Sequence, residues 1–395
     1  MKKICYILLF IMFLVPISTN ALENSNENNK DDTKDNSINL IENATSGLLM
    51  EQSTGKIIFE KNKDKQVAVA SMTKMVAQII ILEEVEKGNI KWNDIVTVSR
   101  NAAGMGGSQI YISEGEKISV EDLMKGISVA SGNDATVAMA EYISGSEEKF
   151  VKRMNKKVKE LGLKNTHFSN CTGLDEEKHY STSYDMAMIA RELVVNHSEI
   201  LRFSSIYDDY LREGSTNKFW LVNTNKLINS YDGADGLKTG HTDDAGYCLA
   251  ATAKRNNLRL IGIVLGEENS KVRNSEMVNL LDYGFNTLKV NTLKRKGSIV
   301  EKVKLEKANK KYLEFYLKDD LNVFEEDVSK KKYDYKIELN EIKYPIYKGD
   351  IIGKINATLN NKVVATSDLV SNKNIYKIKY FDLIVQNIWN IIIGR

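Results

Sequence analysis

Three cysteines and four histidines, with no Cys-x-x-Cys pair, are all that 395 residues offer for disulfide or metal chemistry. Cys5 lies in the leader described below, so Cys171 and Cys248 alone remain, too few for a disulfide framework in a chain of this length. They read as two small buried residues, with a single bridge between them left open. His167, His179, His197 and His241 are scattered without zinc spacing, so no metal site is expected. Nor is there an excess of one charge. Without Lys2 and Lys3, the 55 basic residues fall to 53, matching the 53 acidic ones. No pattern of basic residues interleaved with aromatics points to nucleic acid. The distribution is uneven, however: residues 291–395 hold 21 Lys and Arg against 14 Asp and Glu, which suits an anionic surface.

No apolar run is long enough for a membrane span of about 20 residues. Met1-Lys2-Lys3, an apolar run from Ile4 to Ile17 and the small residues Ser18 to Ala21 form a secretory signal over 1–21. The mature protein is therefore expected outside the cytoplasm. Residues 22–40 are polar and without periodicity, which reads as a disordered linker. At the other end, Phe381, Ile384, Val385, Ile388 and Ile392 share one helical face opposite Lys379, Asp382, Gln386 and Asn390. An amphipathic helix over 377–395 is expected, lying in the membrane interface with Trp389 helping to seat it.

What is present centres on Ala70-Ser71-Met72-Thr73-Lys74-Met75, where a polar loop gives way to an apolar run with Val76, Ile79, Ile80 and Leu82 at helical spacing. Residues three apart on a helix share a face, which stacks the Lys74 amine over the Ser71 hydroxyl. A lysine activates a serine only when burial or nearby cations lower its pKa toward neutrality. Alone, the pattern is also that of a helix cap. Ser131-Gly132-Asn133-Asp134 follows at a break between two helical segments, where a hydroxyl can relay a proton and an amide can hold a carbonyl or the lysine. The alternative there is a capping turn made by Asn133 or Asp134. Gly236-Leu237-Lys238-Thr239-Gly240-His241-Thr242 reads as an edge strand on which Lys238 and Gly240 share a face. Lys238 and Thr239 can meet a carboxylate, and Gly240 leaves room for a substrate backbone.

Two hairpins bracket these motifs, Gly47 to Glu60 and Ala245 to Leu265, with helical patterns between them at Val120–Ser128, Asp134–Tyr142, Glu147–Leu161 and Ser183–Val195. The expected fold class is α+β: an antiparallel sheet built from both ends of a domain over 41–290, covered by a helical insertion. Short β-rich runs such as Tyr312–Leu317, Tyr335–Leu339 and Val363–Ala365 make residues 291–376 a small β-sandwich-like domain.

A Ser-x-x-Lys, a Ser-x-Asn and a Lys-Thr-Gly in this order, with 60 residues from Ser71 to Ser131 and 107 from Ser131 to Lys238, form the set used by penicillin-binding proteins and class A β-lactamases. With Thr54-Gly55, Gly107-Ser108, Gly115-Glu116, Gly173-Leu174-Asp175 and Asp235 to Thr242 followed by Ala245-Gly246, the chain resembles the low-molecular-mass penicillin-binding proteins that are serine-type D-alanyl-D-alanine carboxypeptidases. The resemblance implies a penicillin-binding, β-lactamase-like transpeptidase domain. It also implies removal of the terminal D-alanine from peptidoglycan stem pentapeptides through an acyl-enzyme, limiting crosslinking. By that likeness Ser71 is the nucleophile, Lys74 its base and Ser131 the relay to the leaving amine. Asn133 orients substrate, and Lys238 with Thr239 binds the terminal carboxylate along the Gly240 strand. The backbone N–H groups of Ser71 and His241 form the oxyanion hole. No cofactor is implied, and β-lactams are expected as covalent inhibitors.

The chain departs from the pattern at Val69, where members often have proline, and at Asn223-Thr224-Asn225, where some carry an arginine that helps bind the carboxylate. Competing readings are a β-lactamase, for which Glu192 is the nearest extra glutamate, and a penicilloyl-binding sensor or scaffold without turnover.

Overall fold

The computed structural model describes residues 39–305, 308–325 and 331–378. The leader over 1–21, nearly all of the 22–40 linker and the terminal helix beyond residue 378 lie outside the described residues.

The chain opens with the hairpin β1 (Ser46–Glu51) and β2 (Ile57–Lys61), then enters a 3₁₀ turn over Ala70–Thr73 that runs into α1 (Lys74–Glu86). From Lys74 to Leu82 every residue of α1 is buried, so the helix that follows Ser71 is enclosed on all sides and forms the centre of the larger core. A helical insertion follows: β3 (Ile95–Thr97), α2 (Arg100–Ala103), β4 (Lys117–Ser119), α3 (Val120–Val129), α4 (Asn133–Ser144), α5 (Glu147–Glu160), α6 (Ser183–Asn196) and α7 (Ile200–Ser204). Next come β5 (Asp208–Leu211), β6 (Phe219–Val222) and α8 (Leu227–Ser230), before the chain returns as β7 (Ala234–Thr242), β8 (Gly246–Arg255) and β9 (Leu258–Glu267) and closes the unit with α9 (Ser270–Thr287).

The main sheet has the order β2-β1-β9-β8-β7, antiparallel throughout, so the first strands pair with the last. Alternation along each strand splits its side chains between two cores. On β9, Ile261, Ile263 and Leu265 face the helical insertion, whereas Leu260 and Val264 face α9 with its Met277, Leu280 and Leu281. A sheet buried on both faces is why this stretch is a near-continuous apolar run. The helix α9 was not foreseen from sequence, although Asn269 caps it by accepting hydrogen bonds from the N–H groups of Lys271 and Val272.

Ser119, Ser146 and Thr182 cap α3, α5 and α6 in the same way, each accepting from the N–H three residues on. By contrast α1 and α4, the two helices that start at the Ser71 and Ser131 motifs, have no side-chain cap.

The C-terminal part is all β: β10 (Lys289–Lys294), β11 (Ile299–Lys304), β12 (Tyr312–Leu317), β13 (Leu321–Glu325), β14 (Asp334–Leu339), β15 (Ile351–Leu359) and β16 (Lys362–Ser371). A five-stranded sheet of order β11-β12-β16-β15-β14 is joined by the β10–β13 ladder around Leu313, Phe315, Leu321, Ile355 and Leu369.

Candidate active site

Ser71 sits inside the 3₁₀ turn, and Lys74 is the first residue of α1. The Lys74 ammonium donates to Ser71 Oγ, to Asn133 Oδ1 and to the carbonyl of Thr172, each at 2.7 Å. All three of its donors are thereby used on a side chain with no solvent exposure. Burial pushes its pKa down to about 7, against weaker opposing fields from Cys171 and Asp134. A lysine poised there is neutral often enough at physiological pH to take the Ser71 proton, 2.7 Å away.

The turn itself is strained and braced. Ala70 has φ +46°, a left-handed conformation that costs a non-glycine residue free energy. Two glycines press on it. A Cβ at Gly173, itself at φ +86°, would stand 1.9 Å from Ala70 O, and one at Gly240 would stand 2.7 Å from Val69 O. Gly240 was expected to make room for a substrate backbone; its bare Cα also admits the nucleophile turn, because β7 packs directly on residues 69–71. Behind the turn, the Thr73 hydroxyl lies 2.8 Å from His179 Nε2. His179 Nδ1 accepts from the Ser169 N–H, so the ring proton is on Nε2 and is donated to Thr73. Burial holds His179 down to about 4, which keeps it neutral.

The second motif lies between α3 and α4. Ser131 adopts φ +63°, and its buried Oγ has no hydrogen-bond partner among the described residues. Asn133 is fixed at both ends of its amide, accepting from Lys74 and donating to Gly106 O at 2.7 Å. A Cβ on Gly107 would come within 2.7 Å of that nitrogen. Asp134 does more than the capping turn foreseen for it: its carboxylate accepts from the N–H groups of Ile110 and Ile112, and so pins the 106–112 loop beside the cleft.

The third motif is on β7, which is an edge strand of the sheet. Lys238 is buried, with its ammonium on Thr239 O at 2.9 Å. Burial, then the fields of Lys74 and Arg273, lowers its pKa well below that of a free lysine. The Thr239 hydroxyl donates to Thr224 Oγ1 at 2.7 Å, and the Thr224 N–H bonds Val129 O, two residues before Ser131. Thr224 thus ties the third motif to the second. His241 is exposed, its ring 4.0 Å from that of Tyr247, and Thr242 donates to Asp175 Oδ1 at 2.6 Å.

All eight residues singled out from sequence, Ser71, Lys74, Ser131, Asn133, Lys238, Thr239, Gly240 and His241, fall on the three segments that converge here. Glu192 does not: it lies on α6, accepting from Asn196 Nδ2 at 2.6 Å. Cys171 and Cys248 are both buried and free, so no bridge joins them. Missed from sequence were the carbonyls of Thr172 and Gly106, which complete the lysine and amide sites; as backbone acceptors they leave no residue-type signature.

Residues 33–269 match the family described as D-alanyl-D-alanine carboxypeptidase, and residues 289–377 match the C-terminal domain of penicillin-binding protein 5. D-alanyl-D-alanine carboxypeptidase DacF of Bacillus subtilis is 43% identical over 380 residues, 95% of either chain. The crystal structure of penicillin-binding protein 5 from Haemophilus influenzae superposes with a TM-score of 0.65 at 31% identity, covering 85% of this chain and 98% of that one. Penicillin-binding protein D2 of Listeria monocytogenes in its ampicillin-bound form gives a TM-score of 0.56 at 31% identity, over 61% of this chain and 97% of that one.

Proposed function

This chain belongs to the D-alanyl-D-alanine carboxypeptidase family, and from that membership we propose how its own residues carry the reaction. It is a serine-type enzyme that removes the terminal D-alanine from peptidoglycan pentapeptide stems. Neutral Lys74 takes the Ser71 proton as Ser71 Oγ attacks the carbonyl carbon between the two D-alanines. The oxyanion that forms is held by the backbone N–H groups of Ser71, in the 3₁₀ turn, and of His241, on β7. As the C–N bond breaks, the unpartnered Ser131 hydroxyl delivers a proton to the leaving amine and is resupplied from Lys74. Water then attacks the acyl-enzyme carbonyl and gives a proton to Lys74, which passes it to Ser71 Oγ as the ester C–O bond breaks. Lys238 and Thr239 hold the terminal carboxylate, and Asn133 orients the substrate amide while fixing Lys74. The carrying observation is the contact of Ser71 Oγ with a buried Lys74 whose pKa is brought to about 7.

β-Lactams acylate Ser71 on this reading, supported by the ampicillin-bound Listeria relative. We place the catalytic unit at 41–290 and the β-rich unit at 291–376 as a spacer. The enzyme works outside the cytoplasm, delivered by the 1–21 leader and held on the outer face of the cytoplasmic membrane by the amphipathic 377–395 segment. No helix among the described residues is long and apolar enough to cross a membrane.

The test is D-alanine release from diacyl-Lys-D-Ala-D-Ala, with Ser71→Ala and penicillin-treated protein alongside. Release lost in both controls bears the reading out. Covalent penicillin without release indicates a sensor or scaffold, and rapid penicillin hydrolysis without release a β-lactamase.

A further inference from the structure

The β-rich unit has two unlike ends. The turn between β12 and β13 meets the catalytic unit, where Asp320 Oδ2 accepts from Asn257 Nδ2 at 3.0 Å. The turn between β15 and β16 lies at the same end, since Leu359 and Lys362 line one cavity with Thr54, Gly55 and Lys56 of the β1–β2 turn. From there β16, ten residues long, runs about 33 Å away from the catalytic unit. At its far end the chain passes through residues 372–377 and enters the amphipathic terminal segment.

Three segments are woven together at that far end. Asn309 N–H donates to Tyr376 O at 3.0 Å, and Tyr376 N–H donates back to Asn309 Oδ1 at 2.9 Å. On the other side Ile346 and Ile375 exchange both backbone hydrogen bonds, at 2.9 and 2.8 Å, and Lys348 N–H donates to Asn374 Oδ1 at 2.8 Å. What these segments turn outward is aromatic and basic. Tyr347 and Tyr376, 49% and 43% exposed, meet edge to face at 6.3 Å. Tyr312, 42% exposed, has the ammonium groups of Lys302 and Lys311 at 5.4 and 5.7 Å from its ring centre. Residues 308–312, 343–350 and 372–377 hold six lysines and one carboxylate, Asp350, which accepts from the Tyr347 N–H at 2.7 Å. Lys343 and Lys373 pair with Glu341 and Glu314 at 3.0 and 3.5 Å. Lys310, Lys311, Lys348 and Lys377 are exposed and have no carboxylate partner among the described residues.

We propose that this far end of the β-rich unit is a second membrane contact, where the unpaired lysines bind anionic phospholipid headgroups and the three tyrosines sit among them. Attachment is then selective for anionic lipid and does not depend on the terminal segment alone. The proposal rests on the placement of 377–395 at the membrane surface. No spacer separates the two, because Lys377 belongs both to the patch and to that segment. Tyrosine suits the headgroup layer, since its ring is apolar and its hydroxyl stays hydrated. The four lysines can meet lipid phosphates without breaking an ion pair, and each adds to attraction by an anionic surface. Two contacts on one chain reinforce each other, because the first to bind holds the second at high local concentration. A phosphate polymer of the wall would engage the lysines but leave the rings in water.

The experiment is co-sedimentation of the mature chain, residues 22–395, with vesicles of phosphatidylcholine alone or of equal parts phosphatidylcholine and phosphatidylglycerol. Wild type is expected to bind the anionic vesicles at least about tenfold tighter, a preference that shrinks as salt is added. Lys310→Gln, Lys311→Gln and Lys348→Gln together should remove most of that preference and leave binding to phosphatidylcholine within about twofold, whereas arginine at the same three positions keeps it. Tyr347→Ala with Tyr376→Ala should weaken binding to both vesicles a few-fold. D-alanine release from a soluble peptide should stay within about twofold in every variant, which reports folded protein. Wild type that binds neither vesicle overturns the membrane reading and this proposal with it. Equal binding of wild type to both vesicles overturns this proposal alone, as does an undiminished preference in the triple glutamine variant. So does a triple variant that loses binding to soluble poly(glycerol phosphate) while its vesicle binding is unchanged, which would make the patch a wall-polymer site.

Discussion

Lys74 offers the sharpest test, because one burial sets both a rate and a stability. With a folded pKa of about 7, its neutral fraction is about one half at pH 7 and roughly one hundredth at pH 5. Acylation at saturating fluorescent penicillin, measured by stopped flow, should therefore fall about tenfold per unit below pH 7 and level off above pH 8. The folded pKa lies below the unfolded value of 10.5, so between pH 7 and 10.5 the unfolded chain holds a proton that the folded chain lacks. Stability must then rise with pH across that window, by an amount on the order of 5 kcal/mol for this group alone, and be insensitive to it below pH 7. Lys74→Met should remove this rise and abolish acylation. Two neighbours do not blur the rate, and because Lys238 is also held below a free lysine, the stability contribution of Lys74 is read as the difference from Lys74→Met. His179, at about 4, has finished titrating, and Lys238, as a carboxylate seat, acts on the concentration needed for saturation rather than on the saturated rate. Acylation that is flat from pH 5 to 9, or an acid limb centred near 10, would refute the assignment of Lys74 as a neutral base prepared by burial.

Three further outcomes are expected. Gly173→Ala puts a methyl 1.9 Å from Ala70 O at a left-handed φ, so the Ser71 turn must shift by about 1 Å. Acylation should drop about a hundredfold, with the unfolding temperature read in parallel. Thr224→Val removes the acceptor of the Thr239 hydroxyl and should raise KM for D-alanine release a few-fold with kcat little changed, whereas Thr224→Ser should restore it. Glu267 is buried beside Glu276, and that burial raises its carboxyl to about 8. Its folded pKa exceeds the unfolded one, so the stability it lends is full below about pH 4.5 and is lost as pH rises through 8. Glu267→Gln should flatten the decline in melting temperature between pH 6 and 9.

The Ser71–Lys74 stack could be read from sequence because it needs only helix spacing and an apolar run behind it. The edge position of the Lys238 strand could be read because its alternation ends at a turn. Other features depend on packing partners far away in the chain. The closeness of Gly240 to the Val69 carbonyl could not be read, because nothing local tells a glycine which surface will press on it. Asp134 looked like a cap, and only the folded chain brings Ile110 and Ile112 to its carboxylate. The helix α9 escaped notice because charged and amide residues break up its apolar stripe, and the short β5–β6 hairpin because four-residue strands carry little pattern.

The pairing of β1 with β9 also has a consequence in time. Ser46 and Leu265 are partners although they lie 219 positions apart, so β1, paired early with β2, lacks its inner neighbour until the far end of the unit exists. Such distant pairings make assembly slow, since chain entropy is surrendered long before contacts repay it. A nascent chain emerging from its N-terminus presents Ser71 and Lys74 early, but without β7 and β9 neither the turn nor the sheet behind it is supported. The nucleophile therefore becomes competent only when the last strand docks. Covalent labelling by penicillin should appear abruptly as chains grow past residue 267, making the antibiotic a clock for completed folding.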